Sequence, residues 1–330
     1  MPTRLTVSDI QGIVAILPTP ATPDAAEWKA TQTVDLAETE RLTEAIVASG
    51  VDVLLTNGTF GEGAALLQEE IEAFNDVVVQ TVRGRVPVFA GATTLSTRDT
   101  IRRGRRLLEI GADGLFLGRP MWLALDDAGI VRLYRDIAEA LDTAMVIYDN
   151  PGAFKGKISP EAYGALADIP QIVASKHLGL LARDAFFADL KAVQGRMRLL
   201  PLDTDWYELH RLHPDEVTAC WSGTVACGPA PVVALKGFLS DGRWEDAAMV
   251  TQELNWALEP LFPGGDFEAF MKYSIQIDNA RFEGAGYMRP GPTRPPYVEA
   301  PQAFLEGGRE AGRRWATLQA RYGISGGRRT

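Results

Sequence analysis

Eight short runs rich in valine, isoleucine and leucine recur along the chain, at residues 12–17, 51–56, 86–92, 114–117, 144–148, 171–176, 197–201 and 217–221. They show little polar alternation, so each reads as a strand buried on both faces, as in a parallel sheet covered by helices. Stretches with helical periodicity lie between them, at residues 34–49, 68–84, 96–109, 125–141, 160–167 and 183–193. Asp35, Ser96 and Ser159 stand where helix caps or first turns are expected, and Gly50, Gly84 and Gly111 where a left-handed residue closes a helix. Eight strand–helix units in about 230 residues match a (β/α)8 TIM barrel in count and size. A doubly wound open sheet is the alternative, but it usually has fewer strands.

Beyond an apolar stretch at 232–239 the alternation stops. Residues 243–258, 267–282 and 302–322 read as three more helices with no strand between them. The Pro/Gly-rich connector Met288-Arg289-Pro290-Gly291-Pro292-Thr293-Arg294-Pro295-Pro296 separates the last two. The expected organisation is a barrel over residues 1–240 and a C-terminal helical extension over 241–330, packed on the barrel, with 323–330 fraying.

The net charge of −10 argues against nucleic acid and anionic membranes as partners, because phosphate binding needs a basic face. The arginine clusters at 102–106 and 313–314 fall on helical stretches and read as solvated faces. No apolar run approaches the roughly 18 residues of a membrane span, and no signal peptide is expected at the N-terminus. Cys220 and Cys227 lack tight metal spacing, and His177, His210 and His213 are too few and too poorly supported for a zinc site. No metal is expected, and a soluble cytoplasmic protein is the default.

In a barrel the reactive groups gather at the C-terminal ends of the strands. Of the seven lysines, Lys176 alone closes a β-branched run, Gln171-Ile172-Val173-Ala174-Ser175. An ammonium there is costly unless it reaches back to solvent or chemistry needs it. A partly desolvated lysine has a lowered pKa, and its neutral amine attacks carbonyls to form a Schiff base. The strand-two loop Gly58-Thr59-Phe60-Gly61-Glu62 offers backbone N–H groups and the Thr59 hydroxyl as a cradle sized for a carboxylate, or is simply a tight turn. Tyr148 ends strand five, beside the lysine strand, where a phenol can relay protons or merely pack. Trp122 and Trp221 offer flat apolar walls, with packing as the alternative. Arg119, at the end of strand four, is suited to a bidentate carboxylate contact or to a salt bridge.

The Gly-Thr-x-Gly-Glu loop, the strand-end Tyr148 and Lys176 on strand six together resemble the class I aldolases that include dihydrodipicolinate synthase and N-acetylneuraminate lyase. The resemblance runs over almost the whole chain. Within it, Gly118-Arg119-Pro120-Met121-Trp122, Ile147-Tyr148-Asp149-Asn150-Pro151, Leu261-Phe262-Pro263-Gly264-Gly265-Asp266-Phe267 and Gly291-Pro292-Thr293-Arg294-Pro295-Pro296-Tyr297 resemble the hydratase-aldolases of polycyclic aromatic hydrocarbon degradation.

The resemblance implies a lyase that needs no cofactor, because the imine on Lys176 is itself the electron sink. It implies that Gly58, Thr59 and Phe60 hold the carboxylate of a 2-oxo acid, that Tyr148 moves protons and that Asn150 orients water. The implied substrate is a benzylidenepyruvate, cleaved with water to an aromatic aldehyde and pyruvate. Arg119 favours a carboxylated ring, as in trans-2′-carboxybenzalpyruvate giving 2-carboxybenzaldehyde. The alternatives are the o-hydroxybenzylidenepyruvate reaction giving salicylaldehyde, another pyruvate-dependent aldolase or dehydratase, or a catalytically dead barrel that serves as a binding protein. Ser274 stands where the hydroxylated-substrate enzymes carry Asn, which bears on aryl recognition, whereas Lys272 and Tyr273 are expected to be structural. His177 stands where Tyr is usual, and strand alternation should turn it away from the pocket. A homotetramer in which residues near Trp122 meet a neighbour is also implied.

Overall fold

Strand β1 (Gly12–Ile16) opens on a glycine whose φ of +67° suits a left-handed residue. A Cβ at Gly12 would fall 2.0 Å from an oxygen of Asp52, whose carboxylate accepts the Ile13 N–H at 2.7 Å. The computed structural model describes residues 4–323. From β1 the chain runs through α1 (Leu36–Ala48), β2 (Val53–Leu55), α2 (Gln68–Val82), β3 (Val88–Gly91), α3 (Thr97–Ile110), β4 (Gly114–Leu117), α4 (Asp127–Leu141) and β5 (Ala144–Tyr148). It continues through α5 (Pro160–Ala167), β6 (Ile172–Lys176), α6 (Arg183–Val193), β7 (Arg198–Leu200), α7 (Asp203–Leu212), β8 (Ala219–Ser222) and α8 (Ala230–Ser240). Four more helices follow with no strand among them: α9 (Trp244–Leu258), α10 (Phe267–Lys272), α11 (Ser274–Ala285) and α12 (Gln302–Gly323).

The eight strands form one sheet in the order β7-β6-β5-β4-β3-β2-β1-β8. Every described ladder from β2 to β7 is parallel. Beyond β7, Leu202 bridges Trp221 in parallel, and the Trp221 N–H donates to Pro201 O at 2.8 Å, so the far edge of the sheet meets β8 and the strands form a barrel. The expected caps are present: Asp35, Ser96 and Ser159 accept the amides of Glu38, Asp99 and Ala162. Gly111 closes α3 at a φ of 112°.

The chain divides into two compact units interleaved in sequence. The first comprises the segment ending at Val14, Asp52–Thr56 and Val86–Trp221, in which α3 packs on α4, α4 on α5 and α5 on α6. Its core is the run of fully buried strand residues such as Phe89, Leu115, Val146, Ile147 and Val173. The second comprises Ala15–Val51, Asn57–Arg85 and the segment from Ser222 onward. There α1 packs on α2, and α12 packs on α8, α9 and α11. A Cβ at Gly312 would lie 2.1 Å from Arg281 O, so α11 and α12 approach at backbone distance.

Three expectations need correcting. The helix expected over 267–282 is two helices, because Tyr273 adopts φ −129° and ψ 21°. The break lets Phe267 and Phe270 of α10 pack with Phe262 while α11 runs along α12. Helix α7 was implied by the eight-unit count but given no span, since Asp203-Thr204-Asp205-Trp206 places few apolar residues in its first turn. Strand β8 begins later than expected, at Ala219. The fraying expected of 323–330 falls, for 324–330, outside the described residues, and Gly323 is the last residue of α12. Among the described residues no helix is long and apolar enough to cross a membrane.

Candidate active site

Lys176 is the last residue of β6, in register with Tyr148 on β5 and Leu200 on β7. It is 6 % exposed, and its Nζ lies 3.6 Å from the ring centroid of Trp221 and 5.0 Å from that of Tyr148. These π faces stabilise the cationic forms of the nitrogen, which include a protonated imine. The Trp221 indole N–H donates to His177 O at 2.7 Å, fixing the ring across the amine.

Tyr148 is held on two sides, stacked on Phe116 at 4.6 Å and edge-on to Phe154 at 5.2 Å. Gly118 makes room for Phe154, since a Cβ there would lie 2.0 Å from that ring. The Asn150 amide donates to the Tyr148 hydroxyl oxygen at 3.2 Å, and its Oδ1 accepts the Ala153 N–H at 3.2 Å. The phenol is therefore oriented by a donor, as a proton relay requires.

Strand alternation turns the flanking residues Ser175 and His177 toward the helices. Tyr163 on α5 donates to Asp149 Oδ2 at 3.0 Å and lies 3.0 Å from Ser175 Oγ. Burial and the Asp149 charge hold the Tyr163 phenol well above its ordinary pKa, so it remains a donor. Arg119, 2 % exposed, donates through Nη2 to Asp149 Oδ1 at 3.1 Å and to Gly156 O at 2.8 Å. Its Nε is buried without a partner among the described residues. His177 accepts the Gly179 N–H at Nδ1, so Nε2 carries the proton and donates to Asp189 Oδ2 at 3.0 Å. Burial raises the Asp189 pKa, against the lowering effect of that hydrogen bond. His177 thus lies on the helix side, as alternation predicts.

Of the expected residues in the first unit, Lys176, Tyr148, Asn150 and Trp221 lie together. Arg119 stands behind Phe154, its guanidinium 5.8 Å from that ring. Trp122 is 74 % exposed, and its carbonyl accepts the Lys155 Nζ at 2.8 Å.

In the second unit, the loop from Asn57 to Gly63 folds back on itself through Glu62 N–H to Thr59 O at 2.9 Å and Gly63 N–H to Gly58 O at 3.2 Å. A Cβ at Gly63 would lie 2.3 Å from Asn57 O, so this turn requires glycine there. Phe60 packs edge-on to Phe282 at 5.7 Å and over Gly223, where a Cβ would lie 2.9 Å from its ring. Ser274 is buried at the first position of α11. Sequence reasoning missed Phe116, Phe154 and Tyr163 as parts of these neighbourhoods, and named Asp149, Glu62 and Arg294 only within motifs, with no role of their own. Phe116 and Asp149 could have been found from their strand-end positions, but Arg294 sits in a connector whose composition signals only a loop. Among the described residues no cluster of His, Cys, Asp or Glu could hold a metal ion.

Residues 13–180 match the model of the dihydrodipicolinate synthetase family. The chain is 58 % identical over 320 residues to a trans-2′-carboxybenzalpyruvate hydratase-aldolase of Nocardioides sp. (strain KP7), covering 96 % of each chain. It is 43 % identical to a trans-O-hydroxybenzylidenepyruvate hydratase-aldolase of Pseudomonas putida, covering 97 % of each. The solved structure of PhdJ bound to a substrate intermediate superposes with a TM-score of 0.96 at 63 % identity, over 97 % of this chain and 99 % of that one.

Proposed function

Since the chain belongs to the dihydrodipicolinate synthetase family, we propose that it is an imine-forming hydratase-aldolase that converts trans-2′-carboxybenzalpyruvate and water to 2-carboxybenzaldehyde and pyruvate. The observation that carries this reading is the 58 % identity to the carboxybenzalpyruvate enzyme over 96 % of both chains.

In this reading the Lys176 amine attacks the substrate ketone and expels water, giving a protonated imine. The cation draws electrons through the conjugated double bond, and a water oriented by Asn150 adds at the benzylic carbon and loses a proton, leaving an enamine. Protonation of that enamine at the carbon between the new hydroxyl-bearing carbon and the imine carbon restores the protonated imine. Tyr148 takes the proton of the new hydroxyl, the carbon–carbon bond breaks, and the aldehyde leaves. The bonding electrons return to the imine as an enamine, which is protonated, and a second water then releases pyruvate. The π face of Trp221 at 3.6 Å supports this cation in every step that carries it. No further cofactor enters the scheme.

Gly58, Thr59 and Phe60 are assigned the carboxylate of the 2-oxo acid. Trp221 is assigned the aryl ring, and Ser274 is assigned a part in aryl recognition. The buried, unpartnered Nε of Arg119 supports a contact with the ring carboxylate. Because Asp149 shares the guanidinium charge, this contact acts as one charge-assisted hydrogen bond and not as a lone cation. The exposure of Trp122 suits a contact with a neighbouring copy in a homotetramer.

The test is turnover of 2′-carboxy- and 2′-hydroxybenzalpyruvate, followed by loss of their near-ultraviolet absorbance and by pyruvate release. The reading expects both to be cleaved, with the higher kcat/KM for the carboxylated substrate. A chain that cleaves neither, yet condenses pyruvate with another aldehyde, belongs elsewhere in the family.

A further inference from the structure

A buried ionic cluster of the second unit lies outside the groups used above. Arg294, in the Pro/Gly-rich connector, is 2 % exposed and uses every nitrogen. Its backbone N–H and its Nη1 donate to the two carboxylate oxygens of Glu62, each at 2.7 Å. Its Nε donates to Thr33 Oγ1 and its Nη2 to Thr33 O, again at 2.7 Å, with longer contacts of 3.3 Å to Thr19 O and Pro20 O. Thr33 passes the network on to Glu70, and Glu70 Oε2 accepts the Leu67 N–H at 2.8 Å at the start of α2.

Glu62 connects this cluster to the carboxylate loop. Its φ is +52°, a left-handed conformation that a side-chain-bearing residue adopts only when its surroundings fix it. Its own N–H donates to Thr59 O, and the neighbouring Gly61 O accepts the Thr19 hydroxyl at 2.7 Å. A glycine would serve the backbone better, so the carboxylate is what this position requires. Burial pushes the Glu62 pKa up, and Arg294 opposes that rise.

We propose that Arg294 and Glu62 are positioning residues for substrate carboxylate recognition: the buried pair sets the conformation of the Gly58–Thr59–Phe60 turn, and so its affinity for the carboxylate of a 2-oxo acid. The proposal rests on the assignment of that turn to the carboxylate. The connector, far away in sequence, thereby controls how tightly a carboxylate-bearing ketone is captured before any bond forms.

The test compares hydride trapping of two carbonyl compounds on the full chain: pyruvate, and acetaldehyde, which has no carboxylate. The ratio is read on the folded fraction, separated before trapping, because an unfolded chain would trap both compounds without regard to the carboxylate. Arg294→Lys and Glu62→Gln should lower the pyruvate-to-acetaldehyde trapping ratio by about ten- to a hundredfold, the cost of misplacing a binding group by about an ångström. Thr59→Val serves as the control for the assignment itself. If Thr59→Val lowers the ratio while both other variants stay within about twofold of wild type, the positioning role is overturned and the loop assignment stands. If Thr59→Val leaves the ratio unchanged, the loop assignment fails and the positioning role with it.

Discussion

Two buried basic side chains have different surroundings. Arg294 lies among oxygens, its guanidinium matched to a carboxylate, a hydroxyl and three carbonyls. Lys176 lies against the faces of Trp221 and Tyr148. The arginine is always charged and its fork holds a fixed geometry, whereas a lysine changes protonation readily and turns freely on its stem. A buried cation saturated with oxygen ligands is rigid and inert. One set against rings can give up its proton, and the neutral nitrogen then forms a bond with a carbonyl. Arg119 stands between these extremes, paired with Asp149 through one nitrogen while another has no partner among the described residues.

The contrast predicts a separation of activity from stability. Lys176→Ala should abolish cleavage while the chain still folds, because this amine is what forms the imine. Arg294→Met should do the reverse to the fold: leaving Glu62 buried without its partner costs about 3–5 kcal/mol, read by denaturant unfolding. If Arg294→Met unfolds like wild type, the two side chains are not different in kind. Arg119→Leu should lose roughly 2–4 kcal/mol in kcat/KM for the carboxylated benzylidenepyruvate and much less for the hydroxylated one. Equal losses would make Arg119 a purely structural partner of Asp149.

The smallest effect concerns Asp189, whose pKa burial raises above the ordinary 3.8. Between the unfolded and the raised folded value the native chain binds more protons than the unfolded chain. The contribution of this group to stability is therefore full below 3.8 and is lost as the pH rises through the folded value. Asp189→Asn should remove that segment of the stability–pH curve, measured as the difference in melting temperature between variant and wild type.

The fold was legible because buried parallel strands are continuous apolar runs, and eight of them punctuated by helices admit few architectures. Caps at Asp35, Ser96 and Ser159 could be read for the same local reason. The break at Tyr273 could not, because it answers to tertiary packing on both sides and not to a local breaker. Lys176 and Tyr148 stood out as polar groups at strand ends. Arg294 did not, since nothing in a Pro/Gly-rich segment tells a buried arginine from a solvated one. Nor could the sequence show that Arg119 shares its charge with Asp149, a residue 30 positions away.

The most direct measurement is peptide mass spectrometry of the chain reduced with borohydride in the presence of pyruvate. The account expects one added three-carbon acid, carried on the nitrogen that terminates β6 and lost in Lys176→Ala. No adduct, or one attached to any other side chain, contradicts it.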